Sequence, residues 1–260
     1  MTTPTLSLTI PVKDEATAIP ELAREIEAAF DNAGIEWECI WVDDGSTDGT
    51  DELLSHLHTR DRRHRYVIHG VNCGQSAALF SGFREARAPI IATLDGDGQM
   101  DPADLLRMLP LLKQGEIDIV TGIRTTRADG SRRSRVSRLG NQGIRWATGV
   151  PVSDAGCSAR VFFRECLTGL PMWKSTHRFL PALVAVNGFR WREIPVGHRL
   201  RRGGTSKYGI HNRLWITLFD LLMLRWYRAR VARTRVKAAS QTDDDPLSVA
   251  VTQDHRTEVR

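Results

Sequence analysis

Cysteine is scarce in this chain of 260 residues, and its pattern excludes the usual cysteine-based sites. The four cysteines, Cys39, Cys73, Cys157 and Cys166, form no CxxC pair and have no histidine at a spacing typical of zinc ligands. Scattered cysteines of this kind are typical of reduced thiols in the cytoplasm. We therefore expect four free thiols and no zinc site that spacing alone would reveal.

Long apolar segments are also missing. No run of residues reaches the roughly 20 apolar positions that a membrane-spanning helix requires. The N-terminal stretch MTTPTLSLTIPVKDE lacks a charged segment followed by an apolar one, which is the pattern of a secretory signal. These absences predict a cytoplasmic protein that meets a membrane only at its surface.

Two common nucleotide-binding motifs do not occur. No GxGxxG follows the first predicted strand and no GxxxxGK[ST] is found, which argues against dinucleotide redox chemistry and P-loop phosphoryl transfer. Two acidic loops resemble calcium-binding EF-hand loops, but both follow predicted strands instead of helices. In the loop that starts at Asp95, Met100 replaces the required glycine and Leu106 the required glutamate. The loop that starts at Asp44 ends on Ser55 instead of glutamate.

Basic residues are unevenly distributed along the chain. The formal net charge is only +5, but residues 123–138 contain six arginines and one acidic residue. Further basic clusters lie at 199–207 and 225–237. Such clusters indicate an anionic partner, such as phosphate, a lipid surface or nucleic acid. Nucleic acid is disfavoured, because aromatic residues do not alternate with the arginines as a base-stacking surface requires.

The first half of the chain alternates strand and helix patterns. Strands are predicted for LSLTIPV, WECIWVDD, RYVIHG, PIIATLD and IDIVTG, with a helical pattern between successive strands. This alternation predicts an α/β fold with a mostly parallel central sheet and helices on both faces. After Gly122 the pattern is irregular, with helices expected near 134–148, 176–187 and 210–228 and a strand at GFRWREIPVGHR. A polar, disordered tail is predicted from about Ala238.

A candidate polar site stands at the carboxyl end of each of four predicted strands. They are Pro11 and Glu15, Asp43 and Asp44, Asp95 and Asp97, and Gly122 and Arg124. Ligands of open parallel sheets bind at this edge. The sequence therefore predicts one site that is assembled from several loops.

The acidic pair Asp95 and Asp97 is the strongest indication of the chemistry of this site. Close carboxylates repel one another and need a cation or several hydrogen bonds. Turn formation and helix capping would account for either acidic pair alone, but less readily for two pairs at neighbouring strand ends. Mg²⁺ or Mn²⁺ is usually bound by few protein oxygens and completed by phosphates. In that interpretation Gly96 leaves room for a ligand near the backbone, and Gln99 adds a neutral oxygen.

Five motifs occur together in this order: IPVKDEATAIPEL, WVDDGSTDGT, TLDGDGQMDP, VTGIR and GGTSKYG. In order and spacing they resemble the family 2 glycosyltransferases with the GT-A fold, over about residues 5–230. Within that family the chain is most similar to the dolichol-phosphate mannosyltransferase-like group of polyprenyl-phosphate glycosyltransferases. The resemblance implies inverting transfer of a hexosyl or uronosyl group from a UDP- or GDP-linked sugar to a polyprenyl phosphate, with Mg²⁺ or Mn²⁺ as cofactor.

The same resemblance implies roles for individual residues. The implied nucleotide-binding residues are Pro11, Val12, Glu15, Asp43, Asp44, Asp95 and Gly96. The implied metal ligands are Asp95, Asp97 and Gln99, and the implied phosphate-binding residues are Arg124, Arg202, Ser206 and Lys207. The implied catalytic residues are Asp97, Arg124 and Asp154. Asp154 matches an acidic position near the acceptor, as a positioning residue or weak base, with a structural cap as the alternative. The chain departs from the family at Asp14, where asparagine is usual.

The charges of these residues suit the implied reaction. Departure of a nucleotide diphosphate builds up negative charge, which is stabilised by a divalent ion at Asp95 and Asp97 and by the fixed cations Arg124 and Lys207. The acceptor is itself a phosphate whose second pKa is about 6, so it is largely ionised near neutral pH. A strong catalytic base is therefore not obligatory.

Two segments are predicted to contact an anionic membrane surface. The arginines of the first are Arg132, Arg133, Arg135 and Arg138, which would attract the lipid phosphate, or else form a solvated loop. The second is the apolar stretch 214–224, predicted as a helix in the membrane interface with Trp215, Trp226 and Tyr227 at headgroup level. A core helix, or an interface in a homo-oligomer, is the alternative, because Asp220 would be costly in lipid unless paired.

The expected organisation is a catalytic domain at 1–209, a membrane-interface helix at 210–230 and a polar tail at 231–260. The protein is expected to be peripheral on the cytoplasmic face of the membrane. Two other functions stay open. One is a GT-A glycosyltransferase that uses a glycan, lipid or protein acceptor in cell-envelope biosynthesis, and the other is a non-catalytic nucleotide-sugar-binding membrane adaptor.

Overall fold

A seven-stranded sheet with helices on both faces organises the chain. The computed structural model describes residues 3–113, 116–125, 131–199 and 213–231, with only the backbone for 131–138 and 213–217. The elements of the first half are β1 (Leu6–Val12), α1 (Ile19–Asn32), β2 (Trp37–Asp43), α2 (Thr50–Arg60), β3 (His64–Ile68), α3 (Gln75–Glu85), β4 (Ile90–Thr93), α4 (Ala103–Lys113) and β5 (Ile119–Arg124). Those of the second half are α5 (Ser131–Thr148), β6 (Arg160–Phe163), a 3₁₀ turn (Arg164–Leu167), α6 (Thr176–Val186), β7 (Trp191–Val196) and α7 (Arg213–Arg230).

The sheet contains one antiparallel strand. Its order is β3-β2-β1-β4-β6-β5-β7. Neighbouring strands are parallel, except that β6 runs antiparallel to both β4 and β5. The expectation of a mostly parallel sheet in an α/β fold is therefore confirmed.

Strand β6 is an element that the sequence pattern does not predict. Its sequence is only RVFF, it falls in the irregular region after Gly122, and three of its four residues are buried. A short strand that is buried on both faces shows no alternation of polar and apolar residues. Its pairing with β4 and β5, distant in sequence, is what makes it a strand.

Apolar helix faces cover the sheet from both sides. On one side α1 and α4 contribute Leu22, Ile26 and Met108, which are fully buried in a cluster with residues of β1 and β2. On the other side α3, α5, α6 and α7 form a second cluster, which includes Phe83 and Leu183. Burial of one such side chain contributes about 1.5–3 kcal/mol.

Helix α7 belongs to the second cluster. Leu224 is buried there, and the hydroxyl of Tyr227 donates a hydrogen bond to Oδ1 of Asn187 at 2.7 Å. Tyr227 is thus partly buried against the end of α6, and its place at headgroup level stays a prediction. Asp220 is buried beside Ser175 on the same inner face. None of the described helices combines the length and the apolar character that crossing a lipid bilayer requires.

Candidate active site

The ends of four strands meet at one edge of the sheet. β1, β2, β4 and β5 run in the same direction, so the loops that follow them lie side by side. Val12 pairs with Asp43, and the N–H of Asp44 donates to the carbonyl of Val12 at 2.9 Å. The polar residues that the sequence places at strand ends are thus found at one edge.

Asp95 and Asp97 lie in the turn that follows β4. Nε2 of Gln75, at the start of α3, donates to Oδ1 of Asp95 at 2.7 Å. The N–H of Asp95 donates to the hydroxyl of Ser158 at 3.2 Å. Loss of hydration and, second, the negative charge of Asp97 raise the pKa of Asp95 to about 6. Two carboxylates therefore face the same region and repel one another.

This acidic pair fits a divalent cation. A cation would remove the repulsion that raises the pKa of Asp95, and Mg²⁺ or Mn²⁺ needs few protein oxygens when phosphates complete its shell. The N–H of Gln99 donates to Oδ1 of Asp97 at 3.1 Å, and Nε2 of Gln99 donates to the carbonyl of Arg199 at 3.2 Å. This second contact does not occupy the amide oxygen of Gln99, whose role as a metal ligand stays a prediction.

Gly96 is explained by packing against β1. A Cβ atom at this position would lie 2.4 Å from Cγ1 of Val12 and 3.2 Å from the carbonyl oxygen of Pro11. The turn after β4 therefore approaches β1 too closely for any side chain. The structure thus supports a different reason for this glycine from room for a ligand, and contact between Gly96 and a nucleotide stays a prediction.

Asp43 and Asp44 hold neighbouring loops with their carboxylates. Oδ1 of Asp43 accepts hydrogen bonds from the N–H and the hydroxyl of Ser46, the first at 2.9 Å. The two oxygens of Asp44 accept the N–H groups of Cys73 and Gly74, each at 2.8 Å. Both aspartates are buried. Their contact with a nucleotide base stays a prediction.

The other predicted pocket residues lie at the end of β1. Val12 and Glu15 are buried, and Pro11 is half-buried. Between them Asp14 has a positive φ of 50°, and its Oδ1 accepts the N–H of Thr47 at 2.8 Å. The loop after β1 is therefore tied to the loop after β2, although the family's usual asparagine is replaced here.

Arg124 and Asp154 form a buried ion pair. Arg124 donates from Nε to Oδ2 and from Nη2 to Oδ1 of Asp154, both at 2.8 Å. Burial by itself would lower the pKa of Arg124, but the hydrogen bonds and the charge of Asp154 outweigh it, so the pKa lies above its usual value. Asp154 is only 2% exposed. A phosphate contact by Arg124 and an acceptor-side role for Asp154 remain predictions.

Arg160 is a buried arginine behind the acidic residues that the sequence does not single out. It is 3% exposed, and Nη2 donates to the carbonyl of Ala155 at 3.1 Å. Within the described part of the chain, its Nε has no hydrogen-bond partner. Burial lowers the pKa of Arg160, while charges that include Asp95 and Asp154 act in the opposite direction. Its position depends on the insertion of β6 between β4 and β5, which no local sequence pattern signals.

The first turns of α3 and α6 are joined by a buried hydrogen-bond network that the sequence does not signal either. The hydroxyl of Ser76 donates to the carbonyl of Lys174 at 2.7 Å and lies 2.8 Å from Nδ1 of His177. Burial, and then the positive charges of nearby arginines, lower the pKa of His177 to about 3. A neutral histidine therefore anchors the helix that carries Gln75.

Several predicted residues lie outside the described part of the chain. These are Arg202, Ser206 and Lys207, and the side chains of Arg132, Arg133, Arg135, Arg138 and Trp215. Arg199, which precedes the first group, donates its N–H to the carbonyl of Gln99 at 2.8 Å. Its guanidinium pairs with Glu25 and Asp101. Arg199 is therefore neutralised by protein carboxylates beside the acidic turn.

Comparison with known sequences identifies the family. The profile described as Glycosyl transferase family 2 matches residues 7–168, which is more than half of the chain. The chain belongs to glycosyl transferase family 2. It is 36% identical over 232 residues to the dodecaprenyl-phosphate galacturonate synthase of Rhizobium johnstonii, covering 88% of this chain and 68% of that one. It is 38% identical over 220 residues to the undecaprenyl-phosphate 4-deoxy-4-formamido-L-arabinose transferase of Pseudomonas paraeruginosa, covering 84% of this chain and 64% of that one. This family 2 glycosyltransferase thus spans about two thirds of the length of these relatives.

Solved glycosyltransferase structures share its fold. Glucosyl-3-phosphoglycerate synthase from Mycobacterium tuberculosis, in complex with Mn²⁺, UDP and phosphoglyceric acid, superposes with a TM-score of 0.62 at 20% identity, covering 89% of this chain and 80% of that one. A mannosyltransferase from Pyrobaculum calidifontis, in complex with GDP-Man and Mn²⁺, gives 0.59 at 20% identity, covering 90% and 67%. At this identity the likeness concerns the fold, and the expected GT-A fold is confirmed.

Proposed function

We propose that this enzyme transfers a hexosyl or uronosyl group, with inversion, from a UDP- or GDP-linked sugar to a polyprenyl phosphate at the cytoplasmic face of the membrane. The two relatives that are 36% and 38% identical are named for dodecaprenyl phosphate and undecaprenyl phosphate. One is named for galacturonate and the other for an arabinose derivative. These names support the acceptor class more strongly than any one sugar.

The acidic turn after β4 is the observation that carries the proposal. Asp95 and Asp97 lie at the ligand-binding edge of the sheet, and their repulsion contributes to the raised pKa of Asp95. A bound Mg²⁺ or Mn²⁺, held by these two residues and Gln99, would supply Lewis-acid stabilisation of the leaving diphosphate. The Mn²⁺ complexes of the structural neighbours, with UDP and with GDP-Man, support this assignment.

The chain's own groups hold this arrangement in place. Gln75 fixes the orientation of Asp95 through its hydrogen bond. Arg160 supplies a buried positive charge that favours the ionised form of Asp95. In the proposal Asp43 and Asp44 form the end of the pocket that receives the base, and Pro11, Val12 and Glu15 form its wall.

Phosphates of the donor and the acceptor are proposed to meet three basic residues and one hydroxyl. These are Arg124, Arg202 and Lys207, together with Ser206. Since Nε and one N–H of Nη2 of Arg124 are held by Asp154, a phosphate contact would fall to Nη1 or to the second N–H of Nη2. The acceptor phosphate, with a second pKa of about 6, can attack without help from a base. Asp154 therefore acts as a positioning residue in this proposal.

A membrane surface is proposed to receive an exposed apolar stripe on α7. The α7 stripe consists of Leu218, Phe219, Leu222, Met223 and Trp226, all of them at least 40% exposed. Next to it, Arg225 places its guanidinium 4.9 Å from the ring centre of Trp146 on α5. Apolar side chains flanked by arginine are typical of helices that lie on anionic lipid.

Donor binding by wild-type protein and the Asp97→Ala variant tests the proposal. A thermal-shift panel of UDP- and GDP-linked sugars with Mn²⁺ is expected to stabilise the wild type with one class of donor. At a ligand concentration 100 times Kd the stabilisation would be about 2.7 kcal/mol. Asp97→Ala is expected to lose this shift, because the diphosphate then lacks its metal.

Asp51→Ala, an exposed acid on α2, is the matched control and should keep the full shift. Transfer is then measured with the stabilising donor and a short-chain polyprenyl phosphate. Donor binding that survives in Asp97→Ala contradicts the metal assignment. Transfer to a glycan but not to the lipid phosphate would support the other acceptor class, and binding without transfer to any acceptor would support the adaptor.

A further inference from the structure

Asp44, His69 and Cys73 form a cluster of three different metal-binding groups. Asp44 follows β2, His69 follows β3, and Cys73 stands just before α3. One carboxylate oxygen, one imidazole nitrogen and one sulfur lie within 4.8 Å of one another. The cluster is assembled by the parallel pairing of β2 with β3, so residue spacing along the chain does not reveal it.

Both nitrogens of the His69 imidazole are held by polar groups. Its Nδ1 lies 2.9 Å from Oδ1 of Asp44, and its Nε2 lies 2.9 Å from the hydroxyl of Ser81 on α3. Histidines that bind metals characteristically use one nitrogen for the ion and hold the other against a polar group. Ser81 provides such a group here.

The backbone that carries the thiol of Cys73 is also held in position. The N–H of Cys73 donates to the carboxylate of Asp44 at 2.8 Å. Gly45, with φ +71°, packs so closely that a Cβ there would lie 2.8 Å from the carbonyl carbon of Val71. The loop that carries Cys73 therefore packs closely against the loop after β2 and is hydrogen-bonded to Asp44. Cys73 is exposed, which leaves an entry path for an ion.

Among the described residues, no lysine or arginine side chain forms an ion pair with the carboxylate of this cluster. A second cluster, of two carboxylates and one histidine, consists of Glu27, Asp61 and His64. In that cluster, Arg60 pairs with Glu27 and Arg63 with Asp61, so its carboxylates are already neutralised. Among the described residues, Asp44 has an ion pair with His69 and none with a lysine or arginine. A bound cation at Asp44 would therefore meet little competition.

We propose that Asp44, His69 and Cys73 bind a Zn²⁺ ion, with water as a fourth ligand. A thiolate, an imidazole and a carboxylate suit Zn²⁺, whereas Mg²⁺ prefers oxygen ligands alone. The acidic turn at Asp95 and Asp97 offers only oxygen ligands. The two sites therefore differ in the ions they select, so Mg²⁺ in excess does not displace Zn²⁺ from the cluster.

Occupation by Zn²⁺ would interfere with donor binding. This consequence rests on the proposed function, in which Asp44 belongs to the base-binding end of the pocket. A carboxylate engaged by Zn²⁺ is no longer available to a nucleotide base. Zn²⁺ therefore acts as a competitive inhibitor with respect to the donor.

A Zn²⁺ titration of the reduced full chain, in excess Mg²⁺ and against a chromophoric chelator, tests the site. One equivalent of Zn²⁺ is expected to bind to the wild type. Cys73→Ser and His69→Gln are each expected to weaken binding at least about tenfold, because each removes one of three ligands. Replacement by Co²⁺ should give a sulfur-to-metal absorption band that Cys73→Ser lacks.

The controls are His56→Gln, an exposed histidine on α2, and Asp97→Ala, and both should bind Zn²⁺ as the wild type does. Unchanged Zn²⁺ binding by Cys73→Ser overturns the proposal. Zn²⁺ binding that disappears in Asp97→Ala also overturns it, because the ion would then occupy the acidic turn. Since this titration needs neither donor nor acceptor, its result stays readable if the proposed transferase activity fails.

Discussion

Gly96 lies in the candidate active site, but the packing of the protein core determines that this residue is a glycine. Its neighbours Asp95 and Asp97 need a turn directly against the end of β1, and the missing Cβ makes that approach possible. The φ of Gly96 is not positive, so the restriction is steric and not conformational. A glycine within an acidic motif can therefore be required by packing alone.

Gly96→Ala is expected to lower the free energy of unfolding by about 1–3 kcal/mol, because the new methyl group overlaps Cγ1 of Val12. Urea denaturation measures this loss. Val12→Ala provides the compensating space, so the double variant should lose less stability than the sum of the two single variants. If the two losses of unfolding free energy simply add in the double variant, the close contact with Val12 is not the cause of the loss in Gly96→Ala.

Replacement of Asp154 distinguishes a structural role of this residue from a catalytic one. Asp154→Asn removes the charge that balances the guanidinium of Arg124, and the free energy of unfolding is expected to fall by about 3 kcal/mol. This value lies at the low end for a buried pair because Arg124 keeps about a fifth of its side chain exposed. Urea denaturation and the pH dependence of the transfer rate are the measurements. A stable variant that has lost the acid limb of its pH–rate profile would identify Asp154 as a base instead.

At the scale of elements, the placement of α3 depends on α6. Ser76 in the first turn of α3 contacts both His177 and the carbonyl of Lys174. Gln75, one residue earlier, contacts Asp95. The orientation of the acidic turn is therefore connected to a buried, neutral histidine on another helix.

His177 is expected to make stability depend on pH. Burial lowers its folded pKa to about 3, so the unfolded chain, with a histidine pKa near 6.5, binds the proton more readily. The stability from neutral His177 is complete above about pH 6.5 and is lost as the pH falls towards 3. Between pH 7 and 5.5 the wild type should lose about 1 kcal/mol more than His177→Gln, measured by urea denaturation at both pH values. Equal losses in the two proteins would refute this assignment.

At the scale of the whole molecule, one face of α7 packs against the core and the opposite face is exposed. Leu224 and Tyr227 join the second cluster, and Asp220 is buried on the same side, where burial raises its pKa. The α7 stripe points the other way. An acid in the apolar segment therefore does not oppose contact with lipid, because it faces the protein.

Replacement of both Phe219 and Trp226 by serine is expected to weaken binding to anionic vesicles about a hundredfold, since each apolar side chain contributes about 1.4 kcal/mol or more when buried, which is a factor of about ten for each. Vesicle co-sedimentation at several salt concentrations measures this. Val71→Ser is a matched control, because Val71 and Phe219 are both 69% exposed and only Phe219 belongs to the stripe. The alternative is that the stripe forms a homo-oligomer interface. In that case the wild type would not bind vesicles and would sediment as a dimer, whereas the double variant would be monomeric.

Local information in the sequence was enough for much of this protein. The alternating strands and helices of residues 6–124 follow from the periodicity of apolar residues, and the acidic turn follows from three aspartates after a buried strand. These features depend on neighbours within a few positions, so they are readable along the chain. The ends of β1, β2, β4 and β5 could then be placed at one edge, because parallel strands carry their loops on the same side.

Only the tertiary structure decided which distant residues meet. The insertion of antiparallel β6 brings Arg160 behind Asp95, and strand order joins Arg124 to Asp154 and His69 to Cys73 and Asp44. The residues in each of these contacts come from different parts of the chain. A short buried strand has no periodic pattern of apolar residues that would show which strands it pairs with. Periodic burial and turn formation depend on adjacent residues, whereas charge pairing and metal-ligand clusters depend on the order of strands in the sheet, and that order is a property of the whole fold.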